Sequence, residues 1–240
     1  MQLKPGIFIT GTDTGVGKTI VSATLSRLLR MRGVNVGVIK PATSGCRVED
    51  GQLVSDDALL LCQAAGVPCN RDTAPYLLTE PLAPAEAARI DGVEVAFSHI
   101  LACQERLAAQ HDFLIMEGAG GLMVPLSGTQ TVADLAKLSG LPLLVVARPN
   151  LGTINHAALT CLVAKQMGIT VIGVIINNYP QQAGLAEQSA AGYIEVLGGA
   201  PVLGIWPHQD TQSEFEAVEA LAEWLNGRSD TDDLLKLLGC

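Results

Sequence analysis

Short apolar runs alternate with longer stretches of helical spacing along the chain, and this pattern predicts the main elements of its fold. Six runs are apolar almost throughout and predict buried strands at residues 6–10, 34–39, 113–116, 141–147, 171–176 and 202–205. Apolar positions at helical spacing predict helices at residues 18–31, 93–109, 155–167, 182–197 and about 213–225, with a short amphipathic segment at the end. Uniformly apolar strands separated by helices are typical of a parallel sheet covered on both faces.

The stretch from residue 41 to residue 90 is less regular than the rest of the chain. Its four prolines, at positions 68, 75, 81 and 84, predict long loops and short helices above the sheet. No repeat, low-complexity stretch or linker divides the sequence. We therefore predict a single α/β domain over residues 1–240, with a mostly parallel sheet and helices on both faces.

Composition and charge exclude several classes of protein. The 240 residues are 48% hydrophobic and 16% charged, with 25 glycines, which excludes a disordered chain, a coiled coil and a collagen. The net charge of −9 argues against a nucleic-acid partner, so an anion-binding site would have to be local. The longest apolar runs are far shorter than a membrane span, so no membrane partner is expected.

The cysteines and the first residues of the chain predict its compartment. No Cys-x-x-Cys pair and no Cys/His cluster occurs, so neither a disulfide framework nor a zinc site is expected from Cys46, Cys62, Cys69, Cys103, Cys161 and Cys240. Residues 1–5 lack the apolar core of a signal peptide. These features predict a soluble, reduced, cytoplasmic protein.

A glycine-rich turn follows the first predicted strand and leads directly into the first predicted helix. Gly15 and Gly17 would let backbone N–H groups converge on phosphate oxygens, and the helix N-terminus would add its dipole. Lys18 would reach the outer phosphates, and the Thr19 hydroxyl can ligate Mg²⁺. The alternative is a glycine-rich turn that merely connects a strand to a helix. Thr12 stands where the general phosphate-loop pattern has its first glycine.

Charged residues also stand at other strand ends, where ligands bind in parallel α/β sheets. Glu117 follows a strand as a Mg²⁺-binding acid would, and the glycines after it allow close backbone approach. Asp56 and Asp57 open a helical stretch, and Lys40 ends a strand as a possible second cation over the phosphates. Each has an ordinary alternative: a solvated loop acid for Glu117, first-turn helix acids for the aspartates, and a solvated lysine for Lys40.

Five segments together resemble the dethiobiotin synthetases, ATP-dependent enzymes of biotin biosynthesis. They follow one another in the family's order, at residues 10–19 (TGTDTGVGKT), 40–45 (KPATSG), 55–58 (SDDA), 117–121 (EGAGG) and 151–156 (LGTINH). The first segment resembles the family's modified phosphate loop, which has one extra residue. That loop alone is shared by many nucleotide-binding families, whereas the five segments together are specific. The resemblance is weakest at residues 68–110 and after about residue 216.

The resemblance implies an ATP- and Mg²⁺-dependent ligase with a single-domain, P-loop NTPase-like fold. In the family, 7,8-diaminononanoate (7,8-diaminopelargonate) and CO₂ form a carbamate, whose oxygen attacks the γ-phosphate of ATP to give a carbamic–phosphoric anhydride and ADP. The second amine then closes the ureido ring of dethiobiotin and expels phosphate. Such chemistry needs positioning and charge neutralisation more than covalent help. The resemblance also implies a homodimer, in which the 151–156 turn of the neighbouring subunit binds the far carboxylate of the substrate.

Roles for single residues follow from the same resemblance. Lys18 and Lys40 would be catalytic, and Mg²⁺ would be held by Thr19, Asp57 and Glu117. The nucleotide would be bound by Thr14, Gly15, Val16, Gly17, Lys18, Thr19, Ile20, Asp57, Glu117, Gly118, Ala119, Gly120, Asn177, Asn178, Pro207, His208, Gln209 and Glu214. The diamine would be bound by Thr12, Lys40, Ser44, Gly121, Leu151, Gly152 and Asn155. For Asn155 the alternative is an ordinary helix N-cap.

Some positions depart from the family pattern. Asn178 stands where the family often has Asp, and residues 208–209 replace more apolar residues. Cys46 matches no motif and is interpreted as a small loop residue. The rival hypothesis is a switch ATPase resembling the partition and septum-positioning proteins. These need a signature Lys in the phosphate loop, where this chain has Asp13.

Overall fold

A computed structural model describes residues 5–239, in which strands and helices alternate much as the apolar pattern predicts. The strands are β1 (Gly6–Gly11), β2 (Val36–Ile39), β3 (Ala42–Thr43), β4 (Arg47–Glu49), β5 (Gln52–Val54), β6 (Tyr76–Leu77), β7 (Phe113–Gly121), β8 (Pro125–Ser127), β9 (Gln130–Thr131), β10 (Leu143–Ala147), β11 (Val171–Tyr179) and β12 (Val202–Pro207). The helices are α1 (Lys18–Met31), α2 (Asp56–Ala65), α3 (Pro84–Asp91), α4 (Phe97–Gln110), α5 (Val132–Ser139), α6 (Thr153–Gln166), α7 (Leu185–Gly198), α8 (Glu214–Asn226) and α9 (Thr231–Leu238). The predictions for the N-terminal segment and for Cys240 concern residues 1–4 and 240, outside the described residues.

A six-stranded sheet in the order β12-β11-β10-β1-β7-β2 forms the centre of the fold. All five strand pairings are parallel, so the carboxyl ends of the six strands meet at one edge. The predicted fold class, a mostly parallel sheet of P-loop type, is confirmed. The single domain over residues 1–240 stays a prediction.

Helices cover both faces of this sheet because alternate side chains of each strand point to opposite sides. In β1, Phe8 packs into a core beneath α3, α4, α5, α6 and α7. Its neighbours Ile7 and Ile9 pack into a second core beneath α1, α2, α8 and α9. All three side chains are fully buried. A strand buried on both faces must be apolar throughout, which is why these runs lack the alternation of half-exposed strands.

Two strands extend beyond the apolar runs that predicted them. The strand predicted at 113–116 continues to Gly121, and the strand predicted at 171–176 continues to Tyr179. Glu117 pairs in register with Ile9, and Gly121 pairs with Gly11. Parallel pairing with β1 therefore holds the polar segment 117–121 in the sheet, where the apolar pattern alone predicted a loop.

Helix α5 was missed altogether by the apolar pattern. It has eight residues, Val132–Ser139, starts with a capping box between Thr131 and Asp134, and has Gly140 as its C-cap. The box was readable as Thr followed three residues later by an acid. The segment at 41–90 does contain the short helices predicted for it, α2 and α3, together with four short strands.

The C-terminal helices close one side of the sheet. Leu221 and Leu225 of α8 and Leu234 of α9 pack into the core that contains Trp206. The Thr231 hydroxyl donates to the Leu225 carbonyl and ties the two helices together. This packing places the start of α8 beside the ends of β11 and β12. Within residues 5–239, no helix has both the length and the apolarity required to span a bilayer.

Candidate functional site

The phosphate loop joins the end of β1 to the start of α1. Gly17 precedes the helix with a φ of +85°, and a Cβ there would lie 2.2 Å from Nδ2 of Asn177, so only glycine fits. No side chain caps this helix start, which leaves first-turn N–H groups available to an anion. Lys18 Nζ donates to the Asp13 carbonyl at 3.1 Å, which folds the lysine back over the loop. The loop therefore has the strand–turn–helix form that the sequence predicts, and its binding of phosphate stays a prediction.

Burial changes the acid–base behaviour of Lys18. Removal from water lowers its pKa to about 8, although the Glu117 carboxylate acts in the opposite direction. At neutral pH the side chain therefore remains mostly cationic. The negative charge of bound phosphates would raise its pKa above that of the free protein. Lys18 suits the predicted role of a cation over phosphate oxygens.

Four side chains from separate segments meet beside this loop. Lys40, at the end of β2, is 4% exposed, and its ammonium forms ion pairs with Glu117 and with Asp57, the latter at 2.9 Å. Glu117 is fully buried and accepts a hydrogen bond of 2.8 Å from the Thr19 hydroxyl. Asp57 reaches the cluster from the first turn of α2, which begins there because the Ser55 side chain caps the helix.

The charges of this cluster stabilise one another. Burial by itself would lower the pKa of Lys40, but the carboxylates of Glu117 and Asp57 outweigh it and raise that pKa. Burial would raise the pKa of Asp57, but the Lys40 ammonium and the Thr19 hydroxyl outweigh it and lower that pKa. Lys40 and Asp57 are therefore both ionised at neutral pH. The solvated alternative for Lys40 is wrong, because this lysine is buried between two carboxylates.

The oxygen atoms of the cluster fit a small divalent cation. Glu117 Oε1 accepts the hydrogen bonds just described, whereas Oε2 is buried and has no hydrogen-bond partner. Within residues 5–239, no group of three or more His, Cys, Asp or Glu side chains offers a closed metal cage. Mg²⁺ seldom needs such a cage, since one or two carboxylates, waters and substrate phosphates complete its shell. Thr19, Asp57 and Glu117 therefore suit Mg²⁺ bound together with a nucleotide.

A cavity of about 310 Å³ lies at the ends of β11 and β12 and at the start of α8. Asn177, at its inner wall, is buried and donates to the Val16 carbonyl at 3.2 Å, which links the cavity to the phosphate loop. Asn178 adopts a φ of +60° and places its Oδ1 3.0 Å from Nδ1 of His208. The cavity brings together seven of the predicted nucleotide-binding residues, namely Ile20, Asn177, Asn178, Pro207, His208, Gln209 and Glu214.

Two of the predicted diamine-binding residues, Thr12 and Gly121, lie at the phosphate loop, and a third, Ser44, follows Lys40 closely in the sequence. Thr12 donates its backbone N–H to the Val146 carbonyl at 2.9 Å, and its hydroxyl oxygen is buried without a hydrogen-bond partner. Gly121 faces the backbone of Thr12 across the pairing of β1 with β7. Ser44 is half-buried and follows β3, four residues after Lys40.

The other three diamine-binding candidates lie at an exposed turn. Leu151 is 87% exposed, and Gly152 and Asn155 are also exposed. Helix α6 starts at Thr153 with Gly152 as its N-cap, so the alternative of Asn155 as an ordinary N-cap is wrong. Asn155 is the third helical residue, and no side chain caps this helix start. Free N–H groups at such an end suit an anion.

Sequence reasoning missed Arg148 and its partners. Arg148 directly follows β10, and its guanidinium lies 3.9 Å from an Asp13 oxygen and 3.3 Å from Nδ1 of His156. Its Nε is buried without a hydrogen-bond partner. Arg148 thus connects the phosphate loop with the start of α6. The signal available was its position at a strand end, where the other polar clusters were found.

The chain is similar to a family described as an AAA domain, which matches residues 5–214. The ATP-dependent dethiobiotin synthetase BioD of Bacillus licheniformis is 44% identical over 208 residues, which cover 87% of this chain and 88% of that protein. The protein of the same name from Thermodesulfovibrio yellowstonii is 41% identical over 215 residues, covering 86% and 90%. Both similarities extend over most of each protein.

Solved structures with a similar fold include two ATPases of other kinds. The cell division ATPase MinD of Pyrococcus furiosus superposes with a TM-score of 0.58 at 20% identity, covering 98% of this chain and 97% of that chain. A ParA family ATPase from Chlorobium tepidum superposes with a TM-score of 0.57 at 15% identity, covering 99% and 98%. At these identities, the similarity establishes the fold alone.

Proposed function

Since the chain belongs to the family of ATP-dependent dethiobiotin synthetases, we propose that its strand-end site joins 7,8-diaminononanoate and CO₂ into dethiobiotin at the expense of ATP. One observation carries the proposal: Lys40 is buried between Glu117 and Asp57, directly beside a phosphate loop. Such an arrangement keeps a positive charge where phosphate and carbamate oxygens would react. The rival switch-ATPase hypothesis is not favoured, because its solved examples share only the fold.

The nucleotide lies across two parts of the site in this proposal. Its phosphate oxygens accept hydrogen bonds from the backbone N–H groups of residues 14–19 and from the Lys18 ammonium. Its base enters the cavity at the ends of β11 and β12, where the Asn177 amide forms hydrogen bonds with it. The hydrogen bond from Asn177 to Val16 keeps base cavity and loop in fixed relation. The base and the phosphates are thereby held along one strand-end edge.

The reacting groups meet at Lys40. A carbamate on one amine of the diamine attacks the γ-phosphorus, the bond to the ADP oxygen breaks, and a carbamic–phosphoric anhydride forms. The second amine then attacks the carbamoyl carbon, loses its proton and expels phosphate. Lys40 and Lys18 neutralise the oxygens that gain charge, which is the main requirement of such a transfer. Thr12, Ser44 and Gly121 bind the diamine on this side of the loop.

Thr19, Asp57 and Glu117 would hold Mg²⁺ in this site. When bound, Mg²⁺ supplies positive charge to phosphate oxygens. The unpartnered Oε2 of Glu117 supports this assignment, because a buried carboxylate oxygen without a partner is costly. We also place the protein in the cytoplasm, where ATP is available as its co-substrate.

We further propose that the protein is a homodimer formed through α6 and α7. These helices pack together and leave exposed a set of large apolar side chains, Leu159, Leu162, Tyr193, Val196 and Leu197. Apolar patches of this kind mark protein–protein contacts. The turn at residues 151–156 lies at the start of the same α6. Pairing of two copies through α6 and α7 would therefore bring this turn to the diamine site of the second copy. The free N–H groups of the turn would then bind the far carboxylate of the diamine.

A coupled assay tests the function. The purified protein is supplied with Mg²⁺ and ATP, with and without diamine and bicarbonate, while ADP and the ureido product are measured. Consumption of ATP should depend on both added substrates and should match product formation. Equal ATP hydrolysis without the diamine, and no ureido product, would contradict the proposed function.

Sedimentation tests the dimer. Val196→Glu should shift the protein from dimer to monomer and reduce diamine turnover, while Leu138→Glu, a change at an exposed leucine of α5, serves as the matched control. A wild-type protein that sediments as a monomer and is fully active would contradict the composite site.

A further inference from the structure

An acidic residue, Asp13, stands inside the phosphate loop, where an anion is expected to bind. Its backbone carbonyl accepts a hydrogen bond of 3.1 Å from the Lys18 ammonium, so Asp13 lies beside the lysine assigned to the outer phosphates. Its carboxylate Oδ1 accepts the Thr14 N–H at 2.7 Å, and that N–H is among the donors assigned to the phosphates. A carboxylate with no cation beside it would therefore compete with a phosphate for this donor and repel the phosphate.

Arg148 supplies a positive charge beside this carboxylate. It directly follows β10, the neighbour of β1 in the sheet, and its guanidinium lies 3.9 Å from Oδ2 of Asp13. Asp13 forms no other ion pair within residues 5–239. The side chains are partly exposed, at 36% for Arg148 and 51% for Asp13, so solvent weakens their attraction. A further contact is therefore needed to keep the guanidinium in place.

Helix α6 provides that contact on the other side of the guanidinium. A terminal nitrogen of Arg148 lies 3.3 Å from Nδ1 of His156, in the first turn of α6, and because a guanidinium only donates, Nδ1 is the acceptor. The Nε of Arg148 is buried without a hydrogen-bond partner, a cost that an arginine free to turn into water would avoid. Arg148 is therefore held between the phosphate loop and α6.

We propose that Arg148 is a positioning residue of the nucleotide site, which pairs with the Asp13 carboxylate and anchors the phosphate loop to α6. The pair neutralises the acidic charge of the loop and draws the carboxylate away from the Thr14 N–H, which a phosphate oxygen then accepts. The planar guanidinium suits this role, because its several N–H groups can contact a carboxylate and His156 at the same time. The proposal rests on the nucleotide position given in the proposed function.

A double-mutant cycle tests the pairing with Asp13. Calorimetry measures the Kd of a non-hydrolysable ATP analogue with Mg²⁺, at one fixed ionic strength, for wild type, Arg148→Gln, Asp13→Asn and the double variant. Arg148→Gln leaves the carboxylate unpaired, so Kd should rise by about tenfold. In the Asp13→Asn background the same change should raise Kd by less than about twofold, because no charge remains to be neutralised. An equal rise in both backgrounds would mean that Arg148 acts on the nucleotide itself, and would overturn the proposal.

Replacing His156 tests the anchor to α6 while Arg148 is left intact. His156→Phe keeps a ring of similar size and removes the acceptor, so the guanidinium is less firmly held and Kd for the analogue should rise by about threefold. In the Arg148→Gln background, His156→Phe should have no additional effect, since the contact is already lost. Unchanged affinity in the single variant, or the same loss in both backgrounds, would overturn the anchoring to α6.

Arg89→Gln is the matched control for the loss of an arginine charge. It breaks an exposed ion pair with Glu86 on α3 and should leave the Kd of the analogue unchanged. Circular dichroism checks that every variant keeps its fold. The titrations contain no diamine and measure no ligase activity, so failure of this proposal and failure of the proposed function are distinguishable. Absence of ureido product alongside the expected cycle would contradict only the latter.

Discussion

The phosphate end and the base end of the nucleotide site are built differently. At the phosphate end, Lys40 and Glu117 are almost entirely removed from water and their charges are paired. At the base end, an open cavity is lined mainly by neutral groups, and Asn178 and His208 are exposed. Desolvated charges are costly unless paired, so the phosphate end must be assembled before substrates arrive. A base needs only a few hydrogen bonds and a surface to lie against.

This difference implies a division of labour. Changes at the phosphate end should reduce the rate of the chemical step, because charge develops there in the transition state. Changes at the base end should reduce nucleotide affinity and leave the chemical step nearly intact. The following four experiments test that division.

Replacing Lys40 should have the largest effect. Lys40→Ala leaves buried Glu117 without its cation and removes positive charge from the reacting oxygens, so kcat should fall by about a thousandfold or more. Product formation is measured under saturating substrates, and circular dichroism checks that the fold persists. Lys236→Ala, on the exposed face of α9, is the control. Unchanged turnover in Lys40→Ala would remove Lys40 from the mechanism.

The pH dependence of nucleotide binding should come next in size. Bound phosphates raise the pKa of Lys18 above its value of about 8 in the free protein. A group whose pKa rises on binding favours the complex below its free-state pKa, so affinity should be full below about pH 8. Above that pH, affinity should fall by up to tenfold per unit. Calorimetric titrations from pH 7 to 9.5 measure the nucleotide affinity. In the Lys18→Arg variant this affinity should no longer fall with rising pH.

Removing the Asn177 amide should have an intermediate effect confined to binding. Asn177→Ala removes the hydrogen bond to Val16 and the proposed contact with the base, so the nucleotide Kd should rise by about tenfold. Because Asn177 contacts the base and not the reacting oxygens in this proposal, kcat at saturating ATP should change less than twofold. A loss of kcat as large as that of Lys40→Ala would mean that the two ends do not act separately.

The smallest effect is expected at Asn178. Asn178→Gly keeps the φ of +60° without strain and removes only the amide that contacts His208. Nucleotide Kd should rise by less than about threefold, since an exposed hydrogen bond contributes little. Equilibrium binding of ADP to the Asn177 and Asn178 variants side by side measures the difference. An equal loss in both would show that the base contact extends to the rim of the cavity.

Much of the fold was readable from local pattern. The two cores require β1 to be apolar on both faces, and its run of Ile7, Phe8 and Ile9 predicts a strand that is buried on both faces. The phosphate loop was equally readable, because the spacing of its glycines and Lys18 is itself the geometry that binds phosphate. The glycine-rich segment at 117–121 was placed at the correct strand end, although parallel pairing with β1 makes it part of the strand.

Contacts between distant segments could be decided only by the tertiary structure. Lys40 and Asp57 were plausible surface residues until the fold paired Lys40 with Glu117, 77 positions away in the sequence, and with Asp57, 17 positions away. Arg148 and its approach to Asp13 carried no recognisable spacing, because the two residues follow neighbouring parallel strands, β10 and β1, whose order the sequence does not state. Local periodicity specifies which side chains are buried. The burial of charged groups and their pairing between segments depend on the strand order. This burial and pairing determine the ionisation of Lys40 and Asp57.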